Sequence, residues 1–588
     1  MKQKPIYFIS LLLFTTILLF FFRAVTSGHL SIDDWGYTCG CPFVKDGLSL
    51  VNIKTAFSNF SHGGIWMPLT YITYMSDISI SGGGWKMLHF TNILLHSITA
   101  VGVFIFILLL LKNINNSLTP FAIFASLIGS FLWAIHPMRA EAVVWIASRK
   151  EILWSFFTIL ASIFWLFSIT NPKRLSTILA FVFFILASLS KPTAVIFPVL
   201  AFILEKTLNK DSKPNKLKYA ALLFISLITG VIALHSQSNP SGIESINISD
   251  TTFTWRILNA AVSLGLYIFN TIFPISIHMD YRAAFNEIPL STPLGLTLLG
   301  ITIAPLIWIS IFKKNTLLSK VVFLATSWYF ISILPVLGLL GVTGDKAFAD
   351  RYSYLPSVII SFAIALILVN TSNKKLKIIF ASFSCCAVAA LSLLSIPVID
   401  SFKNDFTAYS RVQKFDPDHW RALRMIGREL AGRHNKQNEG IQMLEKSMRL
   451  RPSYITASHL AYLLAHRGNN EDFAKVKRLG ASTIKDTRID KSGMMLDALG
   501  VTALREKEDA KAVTFFTASL LAPMRSYTNV HTMYNLALAL ANEGKRLKAI
   551  KTLTHLSTSC DDNMKKRIFK TLESFKDRSK TRFDWSAE

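Results

Sequence analysis

Long apolar blocks alternate with short polar stretches over residues 1–400, and a shorter, amphipathic helical pattern replaces them beyond that point. A bilayer core takes about 20 apolar residues per helix. The blocks predict eleven spans, near 6–26, 87–111, 120–136, 152–170, 175–190, 193–205, 219–235, 294–312, 318–340, 354–371 and 376–397. A further stretch, 256–273, is interrupted by Arg256, Asn259 and Asn270 and reads as re-entrant or interfacial. Lys2 and Lys4 precede the first block, as in a signal peptide. That block runs too long for one, and no small-x-small cleavage site follows, so an uncleaved helix is expected.

The segment 401–588 carries a different repeat. Asn535-Leu536-Ala537, Gly544, Ala549-Ile550 and Leu553 fit the spacing of a 34-residue helix-turn-helix unit. Looser copies run through Ile426-Gly427, Gly440-Ile441, Leu444 and Pro452, through Leu460-Ala461 and Gly468, and through Leu499-Gly500, Ala512, Phe516, Ser519 and Pro523. The fold class expected is all-α: a polytopic membrane domain over 1–400, then a tetratricopeptide-like α-solenoid over 401–588. Such a solenoid offers a surface for extended peptide and no chemistry of its own.

Charge fixes the expected orientation. Loops carrying Lys112, Lys173 and Arg174, Lys206 to Lys218, Lys313 and Lys314, and Lys374, Lys375 and Lys377 alternate with loops carrying Asp33, Asp34, Asp46, Asp77, Glu141, Glu151, Glu244, Asp250, Asp280, Glu287, Asp345 and Asp350. By the positive-inside rule the first set is cytoplasmic. The N-terminus is then inside, and the repeat domain lies on the extracytoplasmic side of a cell (inner) membrane. The mean hydropathy of +0.41 and the 17% of charged residues exclude a soluble enzyme and a disordered chain. Five Cys exclude a disulfide scaffold. A net charge of +26 can indicate nucleic acid. Here the membrane part's basic residues sit in loops between spans, so the lipid bilayer and not nucleic acid is the expected partner.

Polar groups at span ends carry the candidate chemistry. Asp33 and Asp34 are adjacent, just past the first span. A carboxylate there can act as general base on a hydroxyl, and a pair can ligate a divalent cation or simply cap a turn. His89, Asn92 and His96 share one helix face by their i, i+3, i+7 spacing, for lining a cavity or for structural hydrogen bonds. His136, Arg139, Glu141, Arg149, Lys150 and Glu151 form a dense block at a loop on the same side as Lys191 and the run Asp350-Arg351-Tyr352. Such cations can bind a lipid-linked phosphate or snorkel to headgroups.

Asp33-Asp34, Trp66-x-Pro68-Leu69-Thr70, Asp77, His89-x-x-Asn92-x-x-x-His96, the 136–151 block, Ser190-Lys191-Pro192 and Ala349 to Pro356, in this order, resemble bacterial relatives of the transmembrane and tetratricopeptide-repeat O-mannosyltransferases. The resemblance covers nearly the whole chain. It implies a GT-C glycosyltransferase fold that takes a sugar from a polyprenyl-phosphate donor and transfers it, with inversion, to an acceptor outside. It also places the base on Asp33 or Asp34. Arg139 stands where relatives commonly have His, and Glu151 where they usually have Asp. Arg149, Lys191 and Arg351, then Lys150 and Arg139, are the candidates for the donor phosphate. His89, Asn92, His96, His136, Glu141, Asp350 and Tyr352 are candidates for positioning. The expected acceptor is Ser or Thr of an exported protein held by the repeats. A glycan or lipid acceptor, or a non-enzymatic membrane-anchored scaffold, are the rival readings.

Overall fold

The computed structural model describes residues 4–60, 62–208, 214–238, 252–281, 300, 317–339, 348–433, 436–483, 493–522, 529–558, 560, 562–577 and 582–583. The described residues are helical or irregular, with no strand among them. They separate into two compact units, Met1–Val412 and Gln413–Glu588.

The first unit contains α1 (Lys4–Phe21), α2 (Leu50–Ser58), α3 (Pro68–Ser81), α4 (Trp85–Asn115), α5 (Pro120–Ala134), α6 (Arg149–Thr170) and α7 (Arg174–Ser190). It continues with α8 (Phe197–Leu208), α9 (Lys216–Ser238), α10 (Phe253–Ile272), α11 (Leu317–Ile333), α12 (Val358–Asn370) and α13 (Lys374–Ser401), after which comes α14 (Asp405–Phe415). Among the described residues, six helical stretches are long and apolar enough to cross a membrane, at 4–26, 85–115, 146–170, 216–237, 317–336 and 374–401. The pair 120–134 and 137–144, bent by 59°, makes a seventh if it is one broken span. Arg174–Ser190 and Val358–Asn370 are apolar but shorter. Ten of the eleven expected blocks thus form helices, while 294–312, apart from residue 300, lies outside the described residues, as do loop charges such as Lys313, Glu287 and Asp345 and, in the repeats, Pro523. The stretch 256–273 forms no hairpin but one unbroken helix up to Ile272, α10. This helix is not among the stretches long and apolar enough to cross a membrane, as an interfacial segment requires, and its apolar side buries Ala260, Val262, Leu264 and Tyr267.

Local chemistry sets the helix ends. Thr119 caps α5 by accepting the Ala122 N–H, with Pro120 at the first helical position, where its missing N–H is harmless. Asn373 accepts from the N–H groups of Lys375 and Leu376 and starts α13. In the interior, Gly129 lets α5 lie directly on α12: a Cβ there would come within 2.8 Å of the Ser361 carbonyl oxygen. Small residues permit such close backbone approach where lipid removes the hydrophobic drive to associate.

The second unit is a series of helical hairpins. These are α15 (Trp420–Arg433) with α16 (Gln437–Leu450), α17 (Tyr454–Arg467) with α18 (Asn470–Thr483), α19 (Met494–Arg505) with α20 (Asp509–Leu520), and α21 (Asn529–Asn542) with α22 (Arg546–Ser557), followed by α23 (Asp562–Lys576). The repeat residues read from the sequence build its core: Leu444, Leu460, Ala461, Leu499, Ala512, Phe516, Ala537, Ala549 and Leu553 are buried together. Gly427 and Gly440 close the first hairpin. A Cβ at Gly427 would stand 2.8 Å from the Gly440 carbonyl oxygen, and one at Gly440 would stand 2.5 Å from that of Gly427. Gly440→Ala is therefore expected to destabilise this hairpin by about 1–3 kcal/mol. Limited proteolysis of the full-length protein on warming would show it, as earlier cleavage within 413–588.

Candidate active site

The Asp33–Asp34 turn divides its two carboxylates between opposite environments. Asp34 is 1% exposed. Its Oδ2 accepts the Leu30 N–H and its Oδ1 the Ala147 N–H, each at 2.8 Å. Burial pushes the Asp34 carboxyl well above the usual carboxylate range, the two N–H donors oppose that, and the charge of Asp33 adds to it. Further bonds pin the same turn: Trp145 Nε1–H donates to the Ile32 carbonyl at 3.3 Å, and the Ser31 N–H donates to Asp405 Oδ1 at 2.9 Å. Asp33 is exposed and has a φ of +66°, a backbone region that non-glycine residues rarely enter. Such strain persists only where surroundings over-determine it, and the anchored Asp34 supplies that determination. The pair therefore presents one carboxylate, Asp33, and uses the other as its fastening.

Three cations gather on the same side of this turn. Lys150 donates to the Ala147 carbonyl at 3.0 Å and lies 4.3 Å from the centre of the Tyr37 ring. Among the described residues it has no ion-pair partner within 4.0 Å. Lys191 contacts Glu151 at 2.5 Å and lies 5.0 Å from the Tyr352 ring. Arg351 is ion-paired with Glu141, which also accepts its backbone N–H at 2.8 Å, and its guanidinium lies over Trp145 and Tyr352. Asp33 is within electrostatic range of Lys150, Tyr37 and Arg351. Lys150, Lys191 and Arg351 also act on one another or on Glu151. The three cations are mostly buried, at 6–9% exposure. A buried cation held on aromatic faces is already desolvated and poised for an anion.

Arg149 is not part of this cluster. It is fully buried, pairs with Asp77 at 2.6 Å, and donates to Asn92 Oδ1 and the Leu88 carbonyl, each at 2.7 Å, with the Tyr74 ring 4.4 Å away. Asn92 uses its amide nitrogen on the Trp145 carbonyl, and Asp77 accepts from Thr91 at 2.7 Å. This network ties α3, α4 and α6 together. Removing Asp77 would leave a buried guanidinium without its counter-charge, so Asp77→Ala is expected to destabilise the first unit by about 3–5 kcal/mol. The temperature at which the detergent-solubilised protein stops eluting as a monodisperse peak reads this out.

The remaining positioning candidates, and Arg139 of the donor-phosphate set, are mostly bonded into the structure. His96 accepts from the Tyr354 O–H at 2.7 Å and donates Nε2–H to the Ala134 carbonyl at 3.1 Å. His136 accepts the Met138 N–H and donates to the Thr271 carbonyl at 3.0 Å. His89 contacts the Gly28 carbonyl at 3.1 Å and leaves Nδ1 unbonded. Arg139 is 1% exposed and sits between the rings of Trp133 and Tyr354, with one hydrogen bond, to Ser353 at 2.6 Å. Asp350 accepts from Tyr281 at 2.8 Å, and burial with Glu141 nearby pushes its carboxyl up. Of the positioning set, Glu141 and Tyr352 touch the cation cluster, through Arg351 and Lys191. The sequence reading does not single out Tyr37 or the Ala147 N–H. An aromatic three residues past Asp34 is the one signal available for Tyr37, and a backbone amide leaves none.

Among the described residues no three His, Cys, Asp or Glu converge as metal ligands. Each Asp34 oxygen accepts one backbone N–H group. Cys39 and Cys41 are free thiols.

No protein-family model matches the chain, and no solved structure matches it. It is 21% identical over 458 residues to Protein O-mannosyl-transferase F38B6.6 of Caenorhabditis elegans, covering 76% of this chain and 63% of that relative. It is 34% identical over 109 residues to human Protein O-mannosyl-transferase TMTC4, covering 18% of this chain and 15% of that one. Against the mouse TMTC4 protein it is 24% identical over 370 residues, or 54% and 49%. The chain thus spans less than two thirds of the length of each of these relatives. A multi-pass helical membrane chain with an acid and three cations at one cluster is similar, over 76% of its own length, to a protein O-mannosyl-transferase.

Proposed function

We propose that this chain is an integral-membrane GT-C glycosyltransferase that moves a sugar from a polyprenyl-phosphate donor to Ser or Thr of exported proteins. The observation that carries the reading is the exposed, strained Asp33 within electrostatic range of Lys150 and Arg351, with Lys191 in turn acting on Lys150. Asp33 takes the proton of the acceptor hydroxyl. The freed oxygen pair attacks the anomeric carbon from the face opposite the phosphate, so the configuration inverts. The bond from that carbon to the phosphate oxygen breaks, and its electron pair leaves on the polyprenyl phosphate. The three cations stabilise that added negative charge. Tyr37, Trp145 and Tyr352 exclude water around it and hold the cations in place.

The alternation of basic and acidic loops supports a cytoplasmic N-terminus, a cluster on the extracytoplasmic side, and repeats there that hold the acceptor. The test is a mass-spectrometric comparison of exported proteins from cells with and without the chain. Loss of a single hexose from Ser or Thr is expected, and an unchanged set of modified proteins would overturn the reading.

A further inference from the structure

The cation cluster is one charge short at the moment of reaction. Lys150, Lys191 and Arg351, with Glu151 and Glu141 paired to the last two, carry one net positive charge. The donor proposed above is a phosphate diester with one negative charge, and what departs is a phosphate monoester with two. Transfer of the acceptor's proton to Asp33 balances the total, but at the far end of the bonds that form and break. The second charge on the phosphate therefore meets no cation in reserve. Rate depends on contacts that strengthen as that charge appears.

Two hydroxyls stand where it appears. Each of the three cations rests on a tyrosine ring: Lys150 lies 4.3 Å from the centre of Tyr37, and Lys191 and the Arg351 guanidinium lie 5.0 and 4.7 Å from that of Tyr352. Tyr37 is 6% exposed, and Tyr352 is half-buried. The Tyr37 hydroxyl is within electrostatic range of Asp33, Arg351 and Tyr352, and it donates to no described residue. The Tyr352 oxygen accepts from Arg351 Nη2 at 3.3 Å, and its hydrogen likewise has no acceptor among the described residues. Neighbouring aromatic donors are engaged. Tyr71 gives its hydrogen to the His62 carbonyl at 3.4 Å, Tyr74 to the Ile146 carbonyl at 2.7 Å, and the Trp145 indole to the Ile32 carbonyl at 3.3 Å. Burial, then the charge of Asp33, pushes the Tyr37 hydroxyl well above the usual tyrosine range, so it keeps its hydrogen at neutral pH. The contact from Arg351 polarises the Tyr352 O–H and makes it a stronger donor.

We propose that the Tyr37 and Tyr352 hydroxyls are catalytic, each donating a hydrogen bond to a non-bridging oxygen of the leaving phosphate as the bond from the anomeric carbon to that phosphate breaks. The proposal rests on the transferase reading. No tyrosine O–H bond breaks: the electron pair of the carbon–oxygen bond moves onto the phosphate, the acceptor's proton goes to Asp33, and both tyrosines keep their hydrogens. A neutral donor suits this step. It does not tighten the resting diester as a fourth cation would, and its bond strengthens when the charge on the accepting oxygen grows.

The test uses the full-length protein in phosphatidylcholine nanodiscs with Tyr37→Phe, Tyr352→Phe and both. Phe keeps each ring against its cation, and neither hydroxyl gives its hydrogen to a described residue, so the variants are expected to keep the thermal stability of the unaltered chain. Single-turnover transfer at saturating donor should fall about tenfold to a hundredfold per hydroxyl, with the donor concentration for half-maximal rate unchanged. Binding of farnesyl phosphate at pH about 8, where it carries two charges, should weaken about tenfold in each single variant, while binding of its methyl ester, with one charge, should not. The binding comparison needs neither acceptor nor transfer. Phe variants that bind and transfer like the unaltered protein, or that lose affinity for both lipids equally, would overturn the proposal and leave the transferase reading standing. Binding of neither lipid by the unaltered protein would overturn the transferase reading, and this proposal with it. If the change at Tyr37 loosens its turn, the Tyr352 variant decides alone by the same two measurements.

Discussion

Asp33→Asn will lower sugar transfer about a hundredfold to ten-thousandfold, the usual loss when a general base is removed. The exchange keeps the side chain's size. Asn also tolerates positive φ better than most residues, so the strained turn at +66° should survive it. Asp34→Asn will act differently. Its amide has one oxygen where the carboxylate supplies two, so either the Leu30 or the Ala147 N–H loses its acceptor. An unsatisfied buried donor costs about 1–3 kcal/mol, and the turn that presents Asp33 loosens with it. The Asp34 variant should therefore lose thermal stability and activity together, whereas the Asp33 variant should lose activity alone. Side-by-side rates in membranes, normalised to folded protein, distinguish the two. Full transfer by the double variant would remove the chemistry from this turn.

Lys150→Gln carries the second large effect, about two to three orders of magnitude in rate, as expected for a charge that stabilises the departing phosphate. Its positive charge has no ion-pair partner among the described residues, whereas Lys191 and Arg351 are partly neutralised by Glu151 and Glu141. Neutralising Lys150 should therefore cost more rate than neutralising Lys191, and should not destabilise the fold, because no buried carboxylate is orphaned. Lys191→Gln strands Glu151 instead. The measurement is single-turnover transfer with donor bound, so that an altered affinity for the donor is not mistaken for slower chemistry. A Lys150→Gln enzyme with an unchanged rate would return Lys150 to a structural role on the Tyr37 ring.

The span pattern and the repeat array are legible in the sequence because each rests on many residues: ten expected apolar blocks are helices, and the small repeat positions close the hairpins. The polar candidates are legible as a set, since charge beside an apolar block is expensive and needs a reason. Their individual roles are not. Arg149 and Lys150 are neighbours in sequence, yet successive residues point about 100° apart around a helix. One enters the interior toward Asp77, and the other reaches Tyr37. The spacing of His89, Asn92 and His96 correctly gives one face. It does not say that the face meets backbone carbonyls of Gly28, Trp145 and Ala134 and the guanidinium of Arg149. Likewise, nothing in two adjacent aspartates says which one is fastened. Two backbone N–H groups decide it, one of them 113 residues away.

That fastening has a consequence for how such a chain diversifies. Two hydrogen bonds, from the Ala147 amide to Asp34 and from the Trp145 indole to the Ile32 carbonyl, join the turn bearing the acid to the segment bearing Lys150, so proton acceptor and cation share one frame. The stretch from Leu48 to the end of α2 lies downstream of that joint and supplies none of its bonds. It can lengthen, shorten or exchange side chains, and so change which acceptors approach, without resetting the distance between acid and cation. Chimeras that swap only residues 48–58 for those of a relative should change substrate preference and keep the intrinsic rate, in effect an exchangeable nozzle on a fixed valve.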